Sequence, residues 1–151
     1  MNPFALVFAP GGRIARLPYF LCGFAPMTVF AIVMGVLLVT LFASVWPVQS
    51  QHGQPAIITL FFIVSVAVAL GGYIYAIVNL MVKRLHDMGM SGFHVVWIMA
   101  LNFVTSWFNY MDSPTGAVIH GIGILASFGI ALWLLFTPGE PHVNDYGSIF
   151  E

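Results

Sequence analysis

The chain has 151 residues, of which 60% are apolar and only 6% are Asp, Glu, Lys or Arg, where a soluble domain carries roughly 25% charged residues. Four basic and five acidic side chains cannot coat a water-soluble globule of this size, and a mean hydropathy of +0.99 makes lipid part of the solvent. A cytosolic enzyme is not expected on these grounds, and a net charge of −1 lacks the basic footprint of a nucleic-acid binder.

Four apolar runs suit helices that cross a hydrocarbon core of about 30 Å, which takes ~20 helical residues. The first, residues 19–45, contains no formal charge. Before it lies a short apolar stretch, Phe4 to Pro10, without a basic start or a small-residue cleavage site. It is too short for a secretory signal and is expected to stay on the chain, lying at the membrane interface. The second run, residues 56–82, is likewise uncharged, with Asn79 its only strong polar interruption. The third, residues 93–111, includes His94, Asn102 and Asn109, and the fourth, residues 117–137, includes His120. Pro47, Pro55 and Pro114 mark the turns between runs, and Pro138 to Pro141 ends the last helix. Strands are disfavoured because the runs do not alternate apolar with polar residues. The expected architecture is all-α, a single polytopic membrane domain over residues 1–151 with four transmembrane helices.

The positive charges set the orientation. Arg13 and Arg16 precede the first run, Lys83 and Arg84 follow the second, and the connections 46–55 and 112–116 have no Lys or Arg. Basic residues near span ends stay on the cytoplasmic side. Both termini are therefore expected in the cytoplasm, with 1–18 an interfacial segment and 138–151 a cytoplasmic tail.

The unusual residues gather in three segments on that side: Gly12-Arg13-Ile14-Ala15-Arg16 with Tyr19-Phe20, then Lys83-Arg84-Leu85-His86-Asp87-Met88-Gly89-Met90-Ser91-Gly92-Phe93, and Pro138-Gly139 with Asn144 and Tyr146-Gly147. With these motifs the chain resembles the YhaH-like family of small bacterial inner-membrane proteins, domain of unknown function 805. The resemblance implies a four-helix protein of the bacterial inner membrane and brings no established activity.

If the second helix continues to Asp87, Arg84 and Asp87 share a face at i, i+3 and can pair. Lys83 and His86 have the same spacing on the neighbouring face. Gly89 and Gly92 allow a sharp turn, and Ser91 can cap the third helix. The plain reading is a hairpin fixed by the Arg84–Asp87 pair. Two sharper readings compete: an anionic lipid headgroup held by Lys83, Arg84 and His86, and proton handling by His86 beside Asp87. The tail is expected to fold back and pair Arg13 or Arg16 with Asp145 or Glu140, with Asn144 and Tyr146 adding hydrogen bonds.

Other conspicuous residues read as structural. His52, His94 and His120 lie at different depths, so they cannot sandwich a haem, and no His or Cys stands at ligand spacing from another. No metal and no cofactor are expected, and Cys22 has no partner for an internal disulfide. Asn79 and Asn102 are costly in lipid unless they face protein. Asn102 is the better candidate for an interhelical bond, or with Thr105 and Ser106 for a small polar path. Small residues at Gly123, Ser127 and Ala131, and at Val68, Gly72 and Ala76, mark where helices can approach. Trp46, Trp97, Trp107, Phe108 and Tyr110 suit an interfacial belt.

With no nucleophile–base set, metal cluster or phosphate loop, the expected role is non-enzymatic: an accessory or scaffold subunit bound to another membrane protein or to its own copies. The alternatives are a small transporter or channel, and an anionic-lipid-binding envelope protein.

Overall fold

The computed structural model describes residues 7–9, 11–45, 56–111 and 113–147. The expectations placed on Phe4 to Leu6 and Pro10, on Trp46 to Pro55 with His52, on Asp112 and on Glu151 lie outside the described residues. From Arg16 onward the described residues form four helices in order: α1 (Arg16–Val45), α2 (Ala56–Asp87), α3 (His94–Trp107) and α4 (Pro114–Phe136), with a 3₁₀ turn at Phe108–Tyr110 between the last two. The all-α expectation holds.

At ~1.5 Å per residue, α1 and α2 are about 45 and 48 Å long and α4 about 35 Å, all enough to cross a membrane. Among the described residues, three helices are long and apolar enough to do so, over Arg16–Phe42, Leu60–Asp87 and Pro114–Phe136. The third run departs from expectation. Its α-helix has 14 residues, and even with the 3₁₀ turn it reaches only about 27 Å. Four expected spans therefore become three long ones beside a shorter companion. In those three, only 6%, 6% and 11% of the most apolar window is buried, so most of each span is not enclosed by the chain itself. The protein is a multi-pass membrane protein.

Local sequence explains the boundaries. Ser113 accepts a hydrogen bond from the Gly116 N–H at 3.0 Å, a side-chain cap followed by Pro114 at the first helical position. This starts α4 three residues earlier than its apolar run suggested. Gly116 is required there, because a Cβ would stand 2.8 Å from the Phe108 carbonyl oxygen. Inside α1, Pro26 has no N–H for the Cys22 carbonyl.

The helices form two antiparallel hairpins, α1 with α2 and α3 with α4, with fewer contacts between the hairpins than within them. The hairpins meet around Leu85, Val95 and Leu134, with Tyr19, Met81 and Trp133 against them. All of these lie toward the end of the bundle that carries the charged motifs. Residues 11–15, residues 138–147 and the α2–α3 turn gather at that end, so α4 returns to the side from which α1 starts.

The amino-terminal segment packs against α2. The Phe8 carbonyl accepts hydrogen bonds from Tyr75 Oη at 3.1 Å and Asn79 Nδ2 at 3.4 Å, and Val7 is buried. Tyr75 is twelve residues, or about 18 Å of helix, from the end of α2. Phe8 thus lies alongside α2, beside the Leu60–Asp87 apolar stretch.

Candidate functional site

Helix α2 ends in the sequence Lys83-Arg84-Leu85-His86-Asp87, and its last carbonyls, like those of any helix, have no partners within the helix. In lipid or at its edge such groups are costly to leave bare. Each is provided for. The Arg84 carbonyl accepts from the Met88 N–H at 3.3 Å and the Leu85 carbonyl from Met90 at 2.9 Å, while the Lys83 carbonyl, one place earlier, also takes the Ile14 N–H at 3.3 Å. The His86 carbonyl accepts from Gly89 at 3.1 Å and from Asn144 Nδ2 at 2.9 Å. The Asp87 carbonyl accepts from Glu140 at 2.7 Å. Gly89, at φ +71°, makes the turn that brings Met90 back.

The side chains of the same turn cap α4. Arg84, fully buried, donates through Nε to the Leu134 carbonyl at 2.7 Å and through Nη2 to the Thr137 carbonyl. Its Nη1 pairs with Asp87 Oδ2. One guanidinium therefore satisfies the end of α4, sits where the helix dipole favours a cation, and forms the expected i, i+3 ion pair.

Arg13 completes the arrangement from the other terminus. Its Nη2 lies 3.2 Å from Asp87 Oδ1 and donates to the Glu140 carbonyl at 2.5 Å. Its Nη1 donates to the carbonyls of His142 at 2.6 Å and Gly147 at 3.2 Å. Asp87 is bracketed by two buried guanidiniums, one to each carboxylate oxygen. Arg13 and Arg84 are both buried beside Asp87, the one carboxylate buried among the described residues. The excess positive charge is balanced by main-chain carbonyl dipoles.

The tail does fold back, but by a different device from the one expected. Among the described residues neither Glu140 nor Asp145 forms an ion pair with Arg13 or Arg16; the tail is held by its carbonyls. Arg16 and Asp145 are exposed. Glu140 instead accepts from Asn144 Nδ2 at 2.8 Å, and the Asn144 side-chain oxygen accepts from the Tyr146 N–H at 3.0 Å, closing a tight turn with Gly147 at φ +99°. Tyr146 stacks on His86, with ring centres 3.9 Å apart and planes within 4°. His86 Nδ1 lies 3.3 Å from the Gly12 carbonyl. His86 and Asp87, neighbours in sequence, are thus committed to different partners.

Three glycines mark the closest approaches. A Cβ on Gly139 would overlap the Asp87 carboxylate, one on Gly89 would overlap the Glu140 carboxylate, and one on Gly92 would stand 2.8 Å from Val82 Cγ1 and 3.1 Å from His86 Nε2. Ser91 accepts from the Phe93 N–H at 3.3 Å, just ahead of α3, whose first turn has no side-chain cap of its own.

The intramembrane polar residues join α3 to α4. Asn102 Nδ2 donates to the Ile98 carbonyl at 2.9 Å, and its Oδ1 accepts from Ser127 Oγ at 2.8 Å. His120 Nδ1 is 3.1 Å from the Thr105 carbonyl, while a Cβ on Gly123 would overlap Thr105. Gly123 and Ser127 of the expected strip are therefore at a helix contact, whereas Ala131 is exposed. On α2 only Ala76 of the other strip is buried; Val68 and Gly72 are exposed. Asn79 is half-buried against Phe8. Among the described residues no group of three His, Cys, Asp or Glu side chains could hold a metal ion.

The motif pattern has a counterpart among protein families: the family model described as protein of unknown function (DUF805) matches residues 7–148. The chain belongs to the DUF805 family. Its three charged-end segments, which the structure packs into one cluster, all fall within that match. Compared with the curated proteins and with the solved structures, this DUF805 chain matches none.

Proposed function

We propose that this DUF805 protein is a non-enzymatic accessory or scaffold subunit of the bacterial inner membrane, with both termini in the cytoplasm, binding another membrane protein through its lipid-level surface. The observation that carries the proposal is where the polar groups are used. Arg13, Arg84 and Asp87 hold helix ends and tail together, so the two buried guanidiniums are engaged within the chain. Asn102, Thr105, Ser127 and His120 are turned to the α3–α4 seam instead of lining a path across the membrane. Outward lie large apolar side chains such as Phe61, Phe103 and Leu125, which suit lateral packing against another membrane protein.

Photoreactive residues placed singly at Phe61, Phe103 and Leu125 in native membranes test this. A single protein captured from one face and not the others is the expected result. Capture of lipid alone from all three, together with ion or solute flux in liposomes that is lost in Asn102→Ala, would replace the proposal with a channel. Reporter tags at Gln51 and at the carboxyl terminus test orientation separately, and are expected on opposite sides of the membrane.

A further inference from the structure

One edge of α3 carries polar groups that the chain itself does not use up. Met99, Asn102, Ser106 and Asn109 follow one another at intervals of three, four and three residues, the spacing that aligns side chains along one face of a helix. All four are exposed. The Ser127 hydroxyl that bonds Asn102 lies near the middle of α4, well inside the Pro114–Phe136 span, so Asn102 is at the depth of the lipid tails.

The hydrogen-bonding capacity of the edge selects its occupant. An Asn amide has two N–H donors and an oxygen with two lone pairs. In Asn102 one N–H donates to the Ile98 carbonyl and the oxygen accepts from Ser127, which leaves one N–H and one lone pair without a partner among the described residues. The side chains of Ser106 and Asn109 make no hydrogen bond among those residues either. Bare polar groups at this depth are costly, because acyl chains offer neither donor nor acceptor. The group that covers Asn102 must present a donor and an acceptor side by side at the same depth. A second copy of the chain, inserted in the same orientation, does both by construction: across a two-fold axis along the membrane normal each amide meets its own image, and N–H to oxygen bonds run both ways. The same axis sets Ser106 opposite Ser106, hydroxyls that both donate and accept. The strip is one residue wide and flanked by exposed Phe103 and Val104, a layout that suits a helix seam and not a water-filled path.

We propose that this edge of α3 is a homodimer interface, in which two copies of the protein pack α3 against α3 in parallel around reciprocal Asn102 amide hydrogen bonds. Met99, unbranched and adaptable, fills the contact toward the charged end. The interface does not rest on the accessory role: the face of α2 that carries Phe61 stays outward, so a different membrane protein is neither required nor shut out.

Two measurements in lipid test the interface. In a Cys22→Ser background, single cysteines at Met99 and Ser106 are oxidised in native membranes beside a control at Ile74 on α2, which is also exposed. Disulfide-linked dimers are expected from Met99→Cys and Ser106→Cys and not from Ile74→Cys. Energy transfer between labelled copies, diluted with lipid in liposomes, gives the dissociation constant. Asn102→Leu is expected to raise it about tenfold, through the two interhelical hydrogen bonds lost per dimer. Ser127→Ala removes the bond within the chain but keeps the outward amide, and should leave the constant as it is. Ser106→Leu, which obstructs the seam, takes the place of Asn102→Leu should that variant fail to accumulate. Equal cross-linking from Ile74→Cys, copies that stay monomeric at high protein-to-lipid ratio, or a constant indifferent to Asn102→Leu would overturn the dimer. Larger assemblies that conduct ions, with flux lost in Asn102→Leu, would replace it with a water-lined pore. A photoreactive residue at Ser106 that captured another protein in place of the second copy would overturn it as well.

Discussion

Arg84 shows how much one side chain carries in this protein. Its three nitrogens serve Asp87, Leu134 and Thr137, so Arg84→Ala leaves a buried carboxylate with one partner and the end of α4 without its caps. Breaking a buried ion pair from one side costs about 3–5 kcal/mol. Thermal unfolding in detergent is expected to show a loss of that order, or failure to accumulate in the membrane. Arg84→Lys is expected to recover little, because one ammonium lacks the planar fork that reaches two carbonyls and a carboxylate together. Wild-type melting for Arg84→Lys would show that charge alone suffices. Gly139 offers a second residue-level test. Gly139→Ala puts a methyl into the Asp87 carboxylate, whereas Gly129→Ala meets nothing within 4 Å and is expected to be neutral. Limited proteolysis should cut the tail of the first variant faster than that of the second.

Among the elements, the α3–α4 hairpin makes the most definite demand on sequence. Gly123 lets the two backbones approach at Thr105, and the Ser127–Asn102 hydrogen bond crosses the same seam. Interhelical hydrogen bonds in membranes average about 0.6 kcal/mol, so Ser127→Ala should lower stability only slightly. Gly123→Leu must part the helices and should cost more, by about 1–3 kcal/mol as an overpacked contact. If unfolding in mixed micelles ranks the two variants the other way, close backbone approach is not what holds this hairpin. Much of the element structure was legible beforehand. The long helices followed from apolar runs because lipid leaves a chain few options, and the Arg84–Asp87 pair followed from a three-residue spacing on a continuous helix. The length of α3 did not follow, since residues 93–111 stay apolar through a 3₁₀ turn that composition does not mark. Nor was the tail's attachment legible: Arg13 holds it by the carbonyls of Glu140, His142 and Gly147, which every residue possesses. The glycine at 139 was visible as part of a motif, but its contact with Asp87 depends on residues 52 positions apart in sequence.

For the molecule as a whole, the charged end acts as a clasp on two hairpins that otherwise share few contacts. The amino-terminal segment, the α2–α3 turn and the tail meet there through Arg13, Asp87, His86 and Tyr146. If the clasp sets the angle between the hairpins, removing the tail should loosen their junction while leaving each hairpin helical. A chain ending at Thr137 loses the carbonyls that Arg13 binds, the Glu140 N–H on the end of α2 and the ring stacked on His86. Hydrogen exchange in nanodiscs is then expected to rise at residues 11–15 and 83–95, with the middle of each long helix remaining protected by its own ladder and by lipid. Helical content by circular dichroism should change little. Exchange at residues 11–15 and 83–95 that stayed as slow as in the full chain would mean that the Leu85–Val95–Leu134 packing alone fixes the junction, and that the clasp merely shelters helix ends.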